Sequence, residues 1–262
     1  MPSNTPLTDA INALTQYANE TTGQSDTTLS DAVGTLVAGY GGGGGISIDD
    51  IAQNIEPSGV IVLGSNVTTI GSNAFRNKPI TSISSDYVTA LGSGFITGSR
   101  CVTASFPNVT AVASNMFENC AYLENVYLPS ATFETISSNY CFRYCQKLKN
   151  TDFSNAEKIG TACFLQCYEL AKLDFPKVTY IYGQAFQDCR KLQTLILRSD
   201  SVVTLNNINA FQNTPMRGYN SLTGTIYVPS ALISSYQAAS NWSTLYSGGH
   251  CTFAAIEGSQ YE

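Results

Sequence analysis

The chain has 262 residues, 43% of them apolar, enough for one large domain with its own core. Only 12% are charged and the formal net charge is −6, which excludes bulk electrostatic attraction as a route to nucleic acid or an anionic membrane. No stretch approaches the roughly 20 apolar residues needed to span a bilayer, so no membrane insertion is expected.

The opening residues carry neither the basic start nor the apolar run of a secretory signal. Eight cysteines without such a signal predict folding in a reducing compartment with free thiols. Leu7, Ile11, Leu14 and Ala18 are spaced four, three and four apart, which predicts a short amphipathic helix that Gly23 would stop. Leu29, Val33, Leu36, Val37 and Tyr40 predict a second. Helices no longer than about 12–15 residues are marginal alone in water, so this pair needs a partner. Residues 1–40 are read as a helical anchor or oligomerisation segment, with Leu7, Ile11, Leu14, Leu29, Val33 and Leu36 as its assembly face. A homo-oligomer or a place in a larger assembly is the expected state.

Gly41 to Gly45 open a glycine-rich linker and lead-in over residues 41–57. The run lacks the following Lys-Ser/Thr of a phosphate-binding loop, so a flexible joint is the reading.

From residue 58 the chain repeats. Phe75, Phe95, Phe117, Phe142, Phe164, Phe186 and Phe211 recur at intervals of 20 to 25 residues. One whole unit reads LAKLDFPKVTYIYGQAFQDCRKL. Self-similarity at this period predicts an α/β-type leucine-rich repeat solenoid over residues 58–223. Each unit would contribute a short parallel strand plus a short helix or helical turn. Val126/Leu128, Thr151/Phe153, Leu173/Phe175 and Leu195/Leu197 alternate with outward residues, so each pair belongs on the inner face of a strand. Pro129, Pro176 and Pro229 would end their strands, because proline cannot donate to a continuing ladder.

Cys120, Cys145, Cys167 and Cys189 each stand three residues after a repeat phenylalanine. That position faces the core, where cysteine behaves as a small hydrophobe. A disulfide frame is disfavoured, since stacked units hold Cβ vectors parallel. A zinc site from Cys141, Cys145, Cys163 and Cys167 is disfavoured too, because the repeat already accounts for Cys145 and Cys167. A packing column is the expectation, with no metal and no cofactor.

No catalytic constellation emerges. His250 is the single histidine, and its neighbour Cys251 is adjacent in sequence, a poor arrangement for a nucleophile and its base. Carboxylates are scattered along the units. The outward strand positions are the better candidates. One column reads Asn125, Asn150, Lys172, Thr194, and the next reads Tyr127, Asp152, Asp174, Ile196, with Tyr227 continuing it. Solenoids present such columns as an extended surface, and exposed tyrosine is a favoured contact residue. Tyr127, Asp152, Asp174 and Tyr227 are the candidate ligand-binding residues.

The units SNMFENCAYLENVYLP and GQAFQDCRKLQTLIL resemble the bacterial BspA-type leucine-rich repeats of surface and secreted proteins. GTIYVPSALISSYQAASNWSTLYS is similar to the cap that closes such arrays, which implies a C-terminal cap over 224–262. The stretches GSGFITGSR and RNKP depart from the pattern, lacking its cysteine. The stretch LTDAINALTQYANETTGQSDTTLSDAVGTLVAGYGGGGG resembles the short helical N-termini of bacteriophage and prophage tail-associated proteins. Together these resemblances imply a non-enzymatic virion protein assembled in the bacterial cytoplasm. Its N-terminal segment would dock on other tail proteins, and its repeats would attach to a host-surface protein or glycan. The alternative is a bacterial surface or secreted adhesin or protein-interaction module.

Overall fold

A computed structural model describes residues 59–63, 67–132 and 139–262. The expected anchor helices, with Leu7, Ile11, Leu14, Leu29, Val33 and Leu36, and the glycine run lie outside the described residues. The rest is a solenoid of parallel strands, as the repeat period predicts.

Each coil has three sides. The first is a strand of three to five residues: β1 (Val60–Val62), β3 (Ser82–Ser84), β5 (Thr103–Ser105), β6 (Asn125–Tyr127), β7 (Asn150–Asp152), β9 (Lys172–Phe175), β11 (Thr194–Leu197) and β13 (Gly224–Val228). The second side is a two-residue strand in most coils: β2 (Thr69–Ile70), β4 (Ala90–Leu91), β8 (Lys158–Ile159), β10 (Tyr180–Ile181) and β12 (Thr204–Leu205). The spacing analysis did not anticipate these, because two residues are too few to show a period. Their inward members Ile70, Leu91, Ile159, Ile181 and Leu205 are all buried.

The third side is a run of overlapping turns, with 3-10 helix entering only late, as at Ile208–Phe211. Two left-handed residues four apart explain why a helix does not form there. Asn73/Asn77, Gly94/Gly98, Asn115/Asn119, Tyr140/Tyr144, Ala162/Gln166 and Gln184/Asp188 all have positive φ. A left-handed residue interrupts helical winding. The amides are then shared between two partners. Glu118 and Cys120 donate back within their own coil to Asn115 and Phe117, whereas Phe117 and Asn119 donate to the carbonyls of Cys141 and Arg143 in the next. The turns thus form a third inter-coil ladder, which satisfies groups a short helix would leave orphaned.

These left-handed markers correct the register of one unit. Gly94 and Gly98 hold the places of Asn115 and Asn119, which puts Ile96, not Phe95, opposite Phe117. Ser99 then takes the cysteine position, and its hydroxyl lies 3.5 Å from the Cys120 Sγ. Phe95 sits one step earlier. Accordingly it meets Phe117 edge-on at 84°, whereas Phe117, Phe142 and Phe164 stack within 9° of parallel at centroid distances of 5.2 and 5.3 Å.

The cysteine column is present and fully buried at Cys120, Cys145, Cys167 and Cys189. Each thiol donates to a carbonyl one coil back: Cys120 to Ile96, Cys145 to Phe117, Cys167 to Phe142 and Cys189 to Phe164, at 3.0 to 3.2 Å. Cys141 and Cys163 form a second buried column one residue before the phenylalanines. Burial pushes the Cys120 thiol up to about 11 and also raises Cys141, Cys145, Cys163 and Cys167. The thiolate is the reactive form, so these groups are chemically quiet. A thiol reagent added to the native protein at pH 8 is expected to label almost none of the eight, and all eight after denaturation. Rapid labelling of several in the native state would contradict the column.

The C-terminal residues close the stack. β14 (Cys251–Ala255) pairs with β13, and two short helices, α1 (Ile233–Ala238) and α2 (Trp242–Ser247), cover the last coil. Trp242 extends the phenylalanine stack, 5.9 Å from Phe211. Its indole N–H donates to the Val203 carbonyl, and the Tyr236 hydroxyl accepts from the Val203 amide. Both side chains serve backbone groups that a further coil would otherwise have paired.

Candidate binding face

The outward side chains of the first strands form two rows. Strand register aligns Val60, Ser82, Thr103, Asn125 and Asn150 in one, and Val62, Ser84, Ser105, Tyr127 and Asp152 in the other. The Ser and Thr members went unnoticed in the sequence. Stepping the Asn125 and Tyr127 columns back by one period would have found them. Within the rows the Ser82 and Thr103 hydroxyls lie 2.8 Å apart, and the Asn150 amide donates to Asn125 Oδ1 at 2.7 Å. Tyr127 stands out from this polar field with 48% of its surface exposed. Asp152 turns its carboxylate onto the Ser154 amide and hydroxyl. The surface here is a shallow depression of about 370 Å³ lined from Ser82 to Asp152.

Spacing predicts that Asp152 and Asp174 follow in register. They do not. β7 ends a five-stranded sheet and β9 begins a separate four-stranded one. Between them lies a cleft of about 810 Å³, lined by Asn150, Asp152 and Ser154 on one wall and Lys172 and Asp174 on the other. The inward position at this junction carries half-buried Thr151, where the flanking strands bury Val126 and Leu173. The turn side stays continuous, with the Phe142 amide on the Cys163 carbonyl at 2.8 Å.

The second sheet presents its outward face differently. The residues after β14 fold back across it. Arg198 forms a two-pronged ion pair with Asp174 at 2.9 and 2.8 Å and also donates to the Tyr261 carbonyl at 2.7 Å. The Tyr261 ring meets Tyr227 at 4.7 Å, and the Lys172 ammonium lies 5.5 Å from that ring. Ile196 lies between Asp174 and Tyr227 in the register and is fully buried, yet stands apart from the main core. Expected as an open column residue, it is instead fully buried on the face that this turn crosses, and a lone aliphatic there gains by being covered.

The structure therefore brings Tyr127 and Asp152 together on an open surface and engages Asp174 and Tyr227 elsewhere. Arg198 and Tyr261 decide this. They are non-periodic and 63 residues apart, so spacing held no sign of either.

His250 is exposed, with its ring against Gly218, and Cys251 is buried, so the two do not form a catalytic pair. Among the described residues no three His, Cys, Asp or Glu side chains converge as metal ligands.

No protein of curated function matches the sequence. Two solved structures are similar over part of their length. One is a leucine rich cell surface protein from Faecalibacterium prausnitzii, 20% identical with a TM-score of 0.41, covering 71% of this chain and 55% of its own. The other is a leucine-rich repeat protein from Bacteroides ovatus, 15% identical with a TM-score of 0.42, covering 76% and 56%. The chain thus spans little more than half the length of either. Residues 54–140 and 110–232 match the BspA type leucine rich repeat region, in six copies, and together span most of the sequence, so the chain belongs to that family.

Proposed function

We propose that this protein is a bacterial surface or secreted interaction module that binds its partner on the outward face of β3 to β7. The observation that carries this reading is the pair of polar rows around exposed Tyr127, on a frame whose stacked core holds them in fixed register. Rigid presentation lowers the ordering cost of binding. The alternative, a tail-associated virion protein, rests on residues 1–40, which lie outside both the described residues and the family match. The repeats themselves lend it nothing specific.

Attachment of the labelled chain to bacterial and animal cell surfaces tests the reading. The double substitution Tyr127→Ala with Asp152→Ala is expected to reduce attachment at least about tenfold, the loss of roughly 1.4 kcal/mol or more that a central aromatic contact commands. The thermal unfolding temperature should fall only modestly, by the loss of the Asp152 hydrogen bonds to Ser154, since both side chains point away from the core. Tyr227→Ala should attach like the parent, because Tyr261 already occupies its ring. Full attachment by the double variant would refute this face as the binding surface.

A further inference from the structure

The rows also constrain what kind of ligand fits, an inference that rests on the binding face just proposed. Of the ten outward positions on β1, β3, β5, β6 and β7, seven are polar, two are the terminal valines Val60 and Val62, and one is Tyr127. Only Asp152 is charged. A protein partner of ordinary kind wants a desolvated apolar centre with several aromatic or arginine anchors. That centre is missing between β3 and β7. An acidic ligand would meet Asp152 and a chain of net charge −6.

Hydroxyls and carboxamides are donor and acceptor at once, and the internal pairings leave defined capacity unused. With Asn150 donating to Asn125 Oδ1, the Asn125 amide hydrogens and Asn150 Oδ1 remain for a ligand. The Ser82–Thr103 pair shares one hydrogen, so at least one hydroxyl hydrogen and several lone pairs remain there too. Sugar hydroxyls are likewise donor and acceptor, and the C–H face of a sugar ring packs on an aromatic ring such as Tyr127.

Spacing separates the two extended polymers. Successive strands step by about 4.8 Å, whereas an extended peptide advances about 3.3 Å per residue. A peptide laid along the stack therefore drifts out of register within two coils. A pyranose unit in an extended chain is close in length to the strand step, so each ring can face one coil.

We propose that the face from Ser82 to Asp152 binds a neutral, extended oligosaccharide running along the solenoid axis, about one sugar per coil, with a ring stacked on Tyr127. The C-terminal turn walls off the second sheet, so the chain ends at the cleft between β7 and β9. Asp152 and Lys172 meet its last ring there.

Calorimetric titration of the full chain with neutral tri- and hexasaccharides of β1,4-linked glucose, mannose and N-acetylglucosamine tests this, alongside a printed array of neutral and acidic glycans. At least one neutral series should bind, with the hexamer at least about tenfold tighter than the trimer. Affinity should change less than about twofold between low and high salt, since no charged pairs are made. Tyr127→Ala should weaken it at least about tenfold. Binding to no neutral glycan, to acidic glycans alone, or unaltered by Tyr127→Ala overturns the proposal. Treatment of the target cells with glycosidases that cleave β1,4-linked glucose, mannose and N-acetylglucosamine chains separates the two readings. Attachment that survives all three glycosidases but not protease ends the glycan inference and leaves the interaction module standing.

Discussion

Raising the pH from 9 to about 11 is expected to unfold this protein. Cys101, Cys120, Cys141, Cys145, Cys163, Cys167 and Cys251 all have thiols raised from the ordinary 9.0, chiefly because burial penalises the thiolate. Neighbouring thiols add to it; Cys163 raises Cys141 and Cys120 raises Cys145. The folded state holds these protons and the unfolded state releases them above pH 9. A raised folded value means the contribution is whole below the unfolded value and is lost as pH climbs toward the folded one. Each thiol then costs about 1.4 kcal/mol per pH unit. Seven together remove several kcal/mol per unit, against a total stability of about 5–15 kcal/mol for an ordinary domain. Tyr236, raised from 10.0 to about 12 by burial, adds to the loss at the upper end.

Urea midpoints measured from pH 7 to 10.5 should be level up to about 8.5 and then fall steeply. A flat profile to 10.5 would show that the thiols are not sealed. Cys120→Ala isolates one contributor. Its folded value of about 11 bounds the window, and between 9 and 11 the variant's slope should be smaller by one proton, about 1.4 kcal/mol per unit.

The second large effect belongs to the phenylalanine stack. Phe164 is fully buried between Phe142 at 5.3 Å and Phe186 at 5.7 Å, with both rings nearly parallel to its own. Its carbonyl also accepts the Cys189 thiol. Phe164→Ala is expected to cost about 3–5 kcal/mol, combining lost transfer energy with a cavity the rigid coils cannot close. Phe164→Leu refills most of that volume and loses mainly the ring–ring terms, each about 0.5–1.5 kcal/mol. Chemical denaturation of the two variants should separate them by at least about 1 kcal/mol. Equal losses would mean that refilling the volume recovers nothing and that the ring–ring contacts carry the whole effect, and a leucine variant as stable as the parent would mean that stacking adds nothing. Because coils touch only their neighbours, the destabilisation should concentrate in hydrogen exchange around residues 140–190 before it spreads.

The repeat itself was legible without coordinates, for a simple reason. Inward strand pairs such as Leu173/Phe175, and the cysteine three residues past its phenylalanine, recur because every coil presents the same wall to the same core. A periodic environment writes a periodic sequence. Tyr127 and Asp152 could be placed on the outward face by the same two-residue alternation.

Four features needed the tertiary structure. The turn side forms overlapping turns in place of short helices, because its amides find better partners in the next coil. Ile96 takes a phenylalanine's place, and only the left-handed pair Gly94 and Gly98 reveals the one-residue shift. The sheet divides between Asp152 and Asp174 although their spacing is regular. Arg198 and Tyr261, far apart in the chain, join to engage Asp174 and Tyr227 and remove half of an apparently continuous face. Periodicity reports what all coils share. What makes one stretch of the face open and another closed is a single long-range contact, and a contact made once leaves no pattern in the sequence.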